Sequence, residues 1–111
     1  MKRWIKSLVW ARNGLKTVWK EERNFRIEIA IAAIVVVAGL IEGLTKTEWA
    51  FIWIAIAMVL GAEIINTAVE DICNKIEPKE DAVIGKIKDI MAAFVLVSCI
   101  VAVFLGIIVF F

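Results

Sequence analysis

The chain has 111 residues, of which 62% are hydrophobic, with 13 basic residues, 12 acidic residues and no histidine. Soluble domains are about 45–50% apolar. The higher apolar content of this chain, together with its mean hydropathy of +0.88, excludes an ordinary water-soluble domain. The absence of histidine, and of a cysteine pair at ligand spacing, excludes a structural zinc site.

The first predicted element is an amphipathic helix over residues 1–24. Apolar side chains recur on one face at intervals of three and four residues: Trp4, Leu8, Ala11, Leu15 and Val18. Lysines occupy the other face: Lys2, Lys6, Lys16 and Lys20. This pattern is typical of a helix that lies in the plane of a membrane interface, and an anchor to anionic headgroups is one sufficient role for it.

Three apolar runs follow, and we predict transmembrane helices over residues 27–44, 49–69 and 90–111. The third run carries no charge and has about the 20 residues that a bilayer core requires. Eight basic residues precede the first run and four lie between the second and the third. This bias predicts that the N-terminus and the second loop are cytoplasmic. Pro78 is expected to end the helix that continues from the second run, and Lys86 to begin the next one.

Three polar residues stand at the end of the second apolar run. At 100° per residue, Glu63, Asn66 and Glu70 lie within roughly 60° of one another on one helix face. An ionised carboxylate in hydrocarbon is unfavourable, so such a residue normally faces a polar cavity or a partner. We therefore predict a functional site here, although Asn66 alone would also serve as a hydrogen-bonding contact between helices.

The residue types near the cytoplasmic end of the second predicted span suit phosphoryl transfer. Paired carboxylates match the preference of Mg²⁺ for oxygen ligands, and Lys88 offers a point charge for a phosphate. A deeper carboxylate, Glu63, is placed to take a proton from a lipid hydroxyl. The segment from Asn13 to Thr17 lacks the first glycine and the spacing of a phosphate-binding loop. A nucleotide site would therefore be built from side chains on helices.

Two motifs carry a resemblance that covers nearly the whole chain. One is Glu63-x-x-Asn66-Thr67-Ala68-x-Glu70 followed by Lys88-Asp89, and the other is Asn13-Gly14-Leu15 with Glu22-Arg23-Asn24-Phe25-Arg26-Ile27-Glu28. On these motifs the chain resembles the prokaryotic diacylglycerol kinase family. The members of this family are small three-span membrane kinases, and they include undecaprenol kinases.

The resemblance implies a role for particular residues. Glu63 would be the catalytic base, while Glu22 and Glu70 would hold Mg²⁺ on the ATP phosphates. The nucleotide site would include Arg3, Trp10, Asn66, Lys79, Glu80, Asp81, Lys88 and Asp89. The lipid substrate would lie along Phe25, Glu28 and Ala92. The resemblance also implies a homotrimer in the bacterial inner membrane, with each site completed between neighbouring protomers.

The chain departs from the family pattern at several positions. Asn74 stands where family members often have an acidic residue, and the second loop lacks the histidine that is frequent there. Met91 and Phe94 replace small residues after Lys88-Asp89. These changes leave the phosphoryl-transfer residues intact and bear on acceptor preference and nucleoside contacts.

The sequence therefore predicts a single all-α membrane domain over residues 1–111, assembled as a trimeric bundle. We expect a lipid kinase that uses ATP and Mg²⁺ on undecaprenol or diacylglycerol, and no nucleic-acid partner. The stretch from Glu22 to Glu28 resembles the undecaprenol kinase branch more closely. A small proton-coupled exporter or ion-translocating subunit that uses Glu63 alone is the alternative from another class, and a structural or pore-forming oligomer without chemistry is a third.

Overall fold

The computed structural model describes residues 2–111, and in that range it contains four α-helices and no strand. The helices are α1 (Arg3–Glu21), α2 (Arg23–Glu42), α3 (Lys46–Ile76) and α4 (Ala82–Phe110). α4 packs along α3, α2 packs on α3, and α1 touches α2. Ile52, near the start of α3, shares a cavity with Gly106, near the end of α4. α3 and α4 are therefore antiparallel.

Local sequence explains where α2 ends and α3 begins. Gly43 has a left-handed backbone, with φ of 69°, which ends α2 because glycine adopts this conformation without a steric penalty. Thr45 then caps α3: its hydroxyl accepts the Glu48 N–H at 3.2 Å, and its own N–H donates to Glu48 Oε1 at 2.9 Å. This reciprocal capping box makes a tight connection between α2 and α3.

The connection between α3 and α4 is shorter than the sequence suggested. α3 continues past residue 69 to Ile76, and Pro78 follows soon after its end, as predicted. The prediction that the next helix begins at Lys86 was wrong, because α4 begins at Ala82. The reason is Asp81, whose Oδ2 accepts the N–H groups of Val83 and Ile84, both at 3.0 Å. These donors have no partner within the helix, so the cap stabilises its first turn.

Three of the helices are long and apolar enough to cross a membrane, as predicted. They are α2 with 20 residues, α3 with 31 and α4 with 29. Many of their large apolar side chains are exposed in the single chain, including Ile34, Leu40, Trp53, Leu96 and Phe104. Apolar surface of this extent suits contact with lipid or with other membrane helices. The chain is therefore an all-α, multi-pass membrane protein.

α3 is the central helix of the bundle. It contributes more buried residues than any other helix in the described part of the chain: Ile52, Ala55, Ala62, Glu63, Thr67 and Cys73. Phe25 of α2 and Val109 of α4 are also buried. Two polar residues of α3, Glu63 and Thr67, are therefore buried in the interior of the chain.

Gly39 provides a test of the packing between α2 and α3. A methyl group added there would lie 2.8 Å from Cη2 of Trp49 and 2.9 Å from Cδ1 of Leu44. Overpacking of this kind costs about 1–3 kcal/mol, so Gly39→Ala is expected to lower the midpoint of thermal unfolding in detergent.

Gly61→Ala is the matched control for this prediction. No atom lies within 4 Å of a methyl group at Gly61, and alanine favours a helix over glycine by roughly 0.5–1 kcal/mol. The control should therefore keep or raise the unfolding midpoint. Equal midpoints for the two variants would contradict the close contact at Gly39.

Candidate active site

The candidate site is a group of three carboxylates, which we call the carboxylate cluster: Glu22, Glu63 and Glu70. Glu63 and Glu70 belong to α3, and Glu22 lies in the junction between α1 and α2. Each of Glu22 and Glu70 is close enough to Glu63 to repel its charge. Glu63 is the most buried of the three, with only 2% of its surface exposed. The face predicted from the spacing of α3 thus runs from buried Glu63 to half-buried Asn66 and Glu70, and it gains a third carboxylate from another segment.

The junction between α1 and α2 places Glu22 against α3. Glu22 leaves helical geometry, with φ of −113° and ψ of 106°, while its N–H still donates to Val18 O at 2.8 Å. Arg26 reaches back from α2, and its guanidinium donates to the carbonyl oxygens of Trp19 and Lys20. A cation that binds the last carbonyls of a helix stabilises that end. Arg26 therefore holds the corner in which Glu22 lies.

Thr67 is a site residue that the sequence motif contained but to which no role was assigned. Its side chain is 4% exposed, and its hydroxyl lies beside the Glu22 carboxylate and donates to the Glu63 carbonyl at 2.9 Å. A hydroxyl has one hydrogen, so it serves one of these oxygens at a time. The available signal was its spacing of four residues from Glu63, which places both on one helix face.

Asn66 and Glu70 are joined on the surface of α3. Nδ2 of Asn66 donates to Oε1 of Glu70 at 3.3 Å. Because the amide holds one carboxylate oxygen, the other is free to bind a cation or water. The two residues were predicted to share a face, and the structure brings them into contact.

The charge balance at Glu22 suits a cation. Burial, and next the neighbouring Glu70 carboxylate, raise the pKa of Glu22 above its ordinary value of 4.5, and the Thr67 hydroxyl lowers it in part. Within residues 2–111, no three cysteine or carboxylate side chains converge as a complete metal site. Mg²⁺ usually takes one or two carboxylates and completes its shell with water and phosphate oxygens. Glu22 and Glu70 therefore fit a magnesium ion that arrives with a nucleotide.

A second polar region lies at the connection between α3 and α4. Lys79, Glu80, Asp81 and Lys88 line a cavity of about 540 Å³. Nζ of Lys88 donates to Oδ1 of Asn74 at 2.9 Å. Asp81 is also the cap of α4, so one of its oxygens is already committed to the backbone. The loop residues predicted for the nucleotide thus share one cavity with Lys88, while Asp89 is exposed beside it.

Two of the residues predicted to bind the nucleotide lie away from the carboxylate cluster within one chain. Arg3 and Trp10 are exposed on α1. At 1.5 Å per residue they lie about 28 Å and about 18 Å from Glu22 along the helix. In the described part of the chain, no hydrogen bond links either side chain to the carboxylate cluster. The described structure of one chain therefore does not bring either side chain to the carboxylate cluster.

An apolar cavity approaches the cluster from the membrane-spanning region. It has a volume of about 370 Å³ and is lined by α2, α3 and α4, with Glu28 as its one charged residue. Oε2 of Glu28 is buried, and in the described structure it has no hydrogen-bond partner. The carboxylate of Glu28 is close enough to Glu63 for the two to repel each other. The cavity therefore contains a carboxylate, Glu28, that neighbours the deepest carboxylate of the cluster.

The other residues predicted for the lipid substrate lie outside this cavity. Phe25 is 3% exposed and packs in the interior of the chain. Ala92 is exposed on α4. Of the three predicted residues, Glu28 alone lines the cavity described above.

Comparisons with known proteins agree on one family. The family model described as Prokaryotic diacylglycerol kinase matches residues 9–110. An undecaprenol kinase of Bacillus subtilis (strain 168) is 30% identical over 110 residues, which cover 99% of this chain and 89% of that protein. A diacylglycerol kinase of Haemophilus influenzae is 32% identical over 108 residues, 96% of this chain and 92% of that protein. One from Escherichia coli (strain K12) is 32% identical over 100 residues, 89% of this chain and 81% of that protein.

The raised pKa of Glu22 predicts how stability depends on pH. A carboxyl group with a raised pKa in the folded state contributes stability below its unfolded pKa of 4.5, and that contribution is lost as pH rises through the folded value. Without metal, Glu22→Gln is therefore expected to raise the thermal midpoint at neutral pH. The difference from the unaltered protein should vanish below about pH 4.

Thermal unfolding in detergent with a chelator, over a series of pH values, measures this effect. Glu42→Gln removes an exposed carboxylate at the far end of α2, away from Glu22, and should change the midpoint little. A stabilisation by Glu22→Gln that is the same at every pH would contradict the electrostatic explanation.

Proposed function

The chain belongs to the prokaryotic diacylglycerol kinase family of membrane lipid kinases, and on that premise we propose that it transfers the γ-phosphoryl group of ATP to the hydroxyl group of a membrane lipid alcohol. One observation supports this proposal above all. The buried carboxylate of Glu63 lies between an apolar cavity that ends at Glu28 and the shallower carboxylates Glu22 and Glu70. A lipid alcohol and a hydrated nucleotide can thus approach the same carboxylate from different sides.

Glu63 would act as the general base. Its carboxylate would accept the proton of the lipid hydroxyl while the hydroxyl oxygen attacks the γ-phosphorus. The bond from the γ-phosphorus to the bridging oxygen then breaks, and ADP leaves with the electron pair. Because such a transition state needs little covalent chemistry from the protein, positioning and neutralisation of charge are the main tasks of the site.

Glu22 and Glu70 would hold Mg²⁺, which neutralises charge on the phosphates when it is bound. Two facts support this assignment. The two carboxylates repel each other across the junction, and Asn66 holds one oxygen of Glu70 in place. The same repulsion that raises the pKa of Glu22 would be relieved by a divalent cation.

Lys88 would contact the phosphates, with Asn66 and Asp89 nearby and with Lys79, Glu80 and Asp81 on the nucleoside side. The shared cavity of the loop residues and Lys88 supports this grouping. Arg3 and Trp10 would act on the site of a neighbouring protomer, since they lie far from Glu22 along α1. We therefore propose a homotrimer whose sites are completed between chains, with α1 on the membrane surface.

The acceptor we propose is undecaprenol. Sequence identity to the relatives does not decide between the two acceptors. The undecaprenol kinase relative is 30% identical to this chain and a diacylglycerol kinase relative is 32% identical. The stretch from Glu22 to Glu28 favours the undecaprenol branch. We propose the bacterial inner membrane as the location, with the N-terminus and the second loop in the cytoplasm. Glu28 would contact the acceptor near its hydroxyl, together with Phe25 and Ala92 from the surrounding surface.

The test is a phosphorylation assay on purified protein in micelles, with Mg²⁺ and γ-labelled ATP and with undecaprenol and diacylglycerol in parallel. Label in the lipid extract would support the kinase, and faster labelling of undecaprenol would support the acceptor. No labelled lipid and no nucleotide binding would overturn the proposal and favour an exporter that uses Glu63.

Two variants separate the base from the metal ligand. Glu63→Gln is expected to lower kcat by roughly 10²–10⁴-fold and to leave the Kd of Mg·ATP nearly unchanged. Glu70→Gln should instead weaken Mg·ATP binding, because it removes a charged ligand. Turnover assays and calorimetric titration with Mg·ATP measure the two effects.

Glu42→Gln is the matched control, since Glu42 is an exposed carboxylate at the far end of α2. It should change neither quantity. Equal loss of nucleotide binding in Glu63→Gln and Glu70→Gln would contradict the division of roles between the two residues.

A further inference from the structure

A hydrogen bond that the proposed mechanism does not use joins the end of α3 to the start of α4. Nζ of Lys88 donates to Oδ1 of Asn74 at 2.9 Å, although the two residues are 14 positions apart in the chain. Lys88 is half-buried and also lines the cavity at the connection, whereas Asn74 is exposed. The bond therefore fixes a long, flexible side chain at the edge of that cavity.

The chemistry of the pair suits a lysine that must bind a phosphate. A lysine ammonium group has three N–H donors and no acceptor. Asn74 takes one donor, so two stay available for phosphate oxygens. The amide is neutral, so it orients the ammonium group without neutralising its charge. Because the side chain is ordered before the nucleotide arrives, less conformational freedom is lost on binding.

We propose that Asn74 is a positioning residue for the phosphate-binding lysine, a role that rests on the proposed function of Lys88 toward ATP. Asn74 acts through Lys88 and does not itself contact the nucleotide. Its contribution to the stability of the fold is small, because a hydrogen bond with an exposed partner exchanges readily for one with water. Loss of the acceptor at position 74 therefore weakens ATP binding and leaves the unfolding midpoint in place.

Three single variants test this role. Asn74→Leu keeps a similar volume and removes the acceptor, and it is expected to raise both the Kd and the KM for Mg·ATP by about three- to tenfold. Asn74→Asp keeps an acceptor oxygen and should stay within about threefold of the unaltered protein. Lys75→Leu places leucine at the neighbouring exposed position, 100° away around the helix, and should stay within about twofold. The KM for the lipid acceptor and the thermal midpoint should not change.

The decisive measurement is a double-mutant cycle with Lys88→Met, read as the Kd of Mg·ATP by calorimetry in detergent. If Asn74 acts through Lys88, Asn74→Leu has no further effect when Lys88 is already methionine. An equal effect in both backgrounds would mean that Asn74 acts on the nucleotide directly, and it would overturn the proposal. Unchanged ATP affinity in Asn74→Leu alone would also overturn it.

The cycle also separates this proposal from the proposed function. Coupled effects on ATP binding, in a protein that phosphorylates no lipid alcohol, would support the role of Asn74 and contradict the kinase assignment. A Lys88→Met variant with normal ATP affinity would remove the phosphate role of Lys88, and the role of Asn74 with it. Normal lipid phosphorylation combined with uncoupled variants would contradict the role of Asn74 alone.

Discussion

The placement of an ionisable side chain inside a membrane-spanning helix is the constraint on which the rest of the structure depends. A carboxylate at such a position is tolerated when other polar groups or water surround it. Glu63 is almost completely buried, and polar groups from three segments approach its carboxylate: Glu22 from the corner before α2, Glu28 from within α2, and Asn66 and Glu70 from α3 itself. The helices pack so that these groups meet on the inner face of α3, which is why α3 is central to the bundle.

The same constraint explains the break between α1 and α2. The backbone is extended at Glu22, where α1 ends, and the Glu22 carboxylate lies beside Thr67 and Glu70 of α3. The corner is held by Arg26, which occupies the end of α1, and by Val18 and Phe25, which are buried on either side of the junction. An apolar contact and a charged cap together therefore determine where a single carboxylate lies. This arrangement connects the packing of α1 and α2 with the chemistry of α3.

Much of the fold follows from local patterns, while the site only partly does. The apolar runs predicted three spans, and the spacing of Glu63, Asn66 and Glu70 predicted a shared face, because both depend on a single helix. The start of α4 was misplaced because the charges before Lys88 concealed the cap formed by Asp81. The contact between Lys88 and Asn74, and the approach of Glu22 to α3, depend on packing between distant segments that periodicity does not specify. Arg3 and Trp10 are exposed on α1, and no hydrogen bond in the described part of the chain joins either side chain to the carboxylate cluster.

The tight turn between α2 and α3 has a consequence for the membrane as a whole. Only residues 43–45 connect these helices, and they are closed by a glycine and a capping box. All the groups suited to phosphoryl transfer lie at the opposite end. A phosphorylated headgroup crosses hydrocarbon slowly, because its charge must be stripped of water. The reaction would therefore place its product in one leaflet only, and the transbilayer asymmetry of the phosphorylated lipid would follow from the position of the site at one end of the bundle.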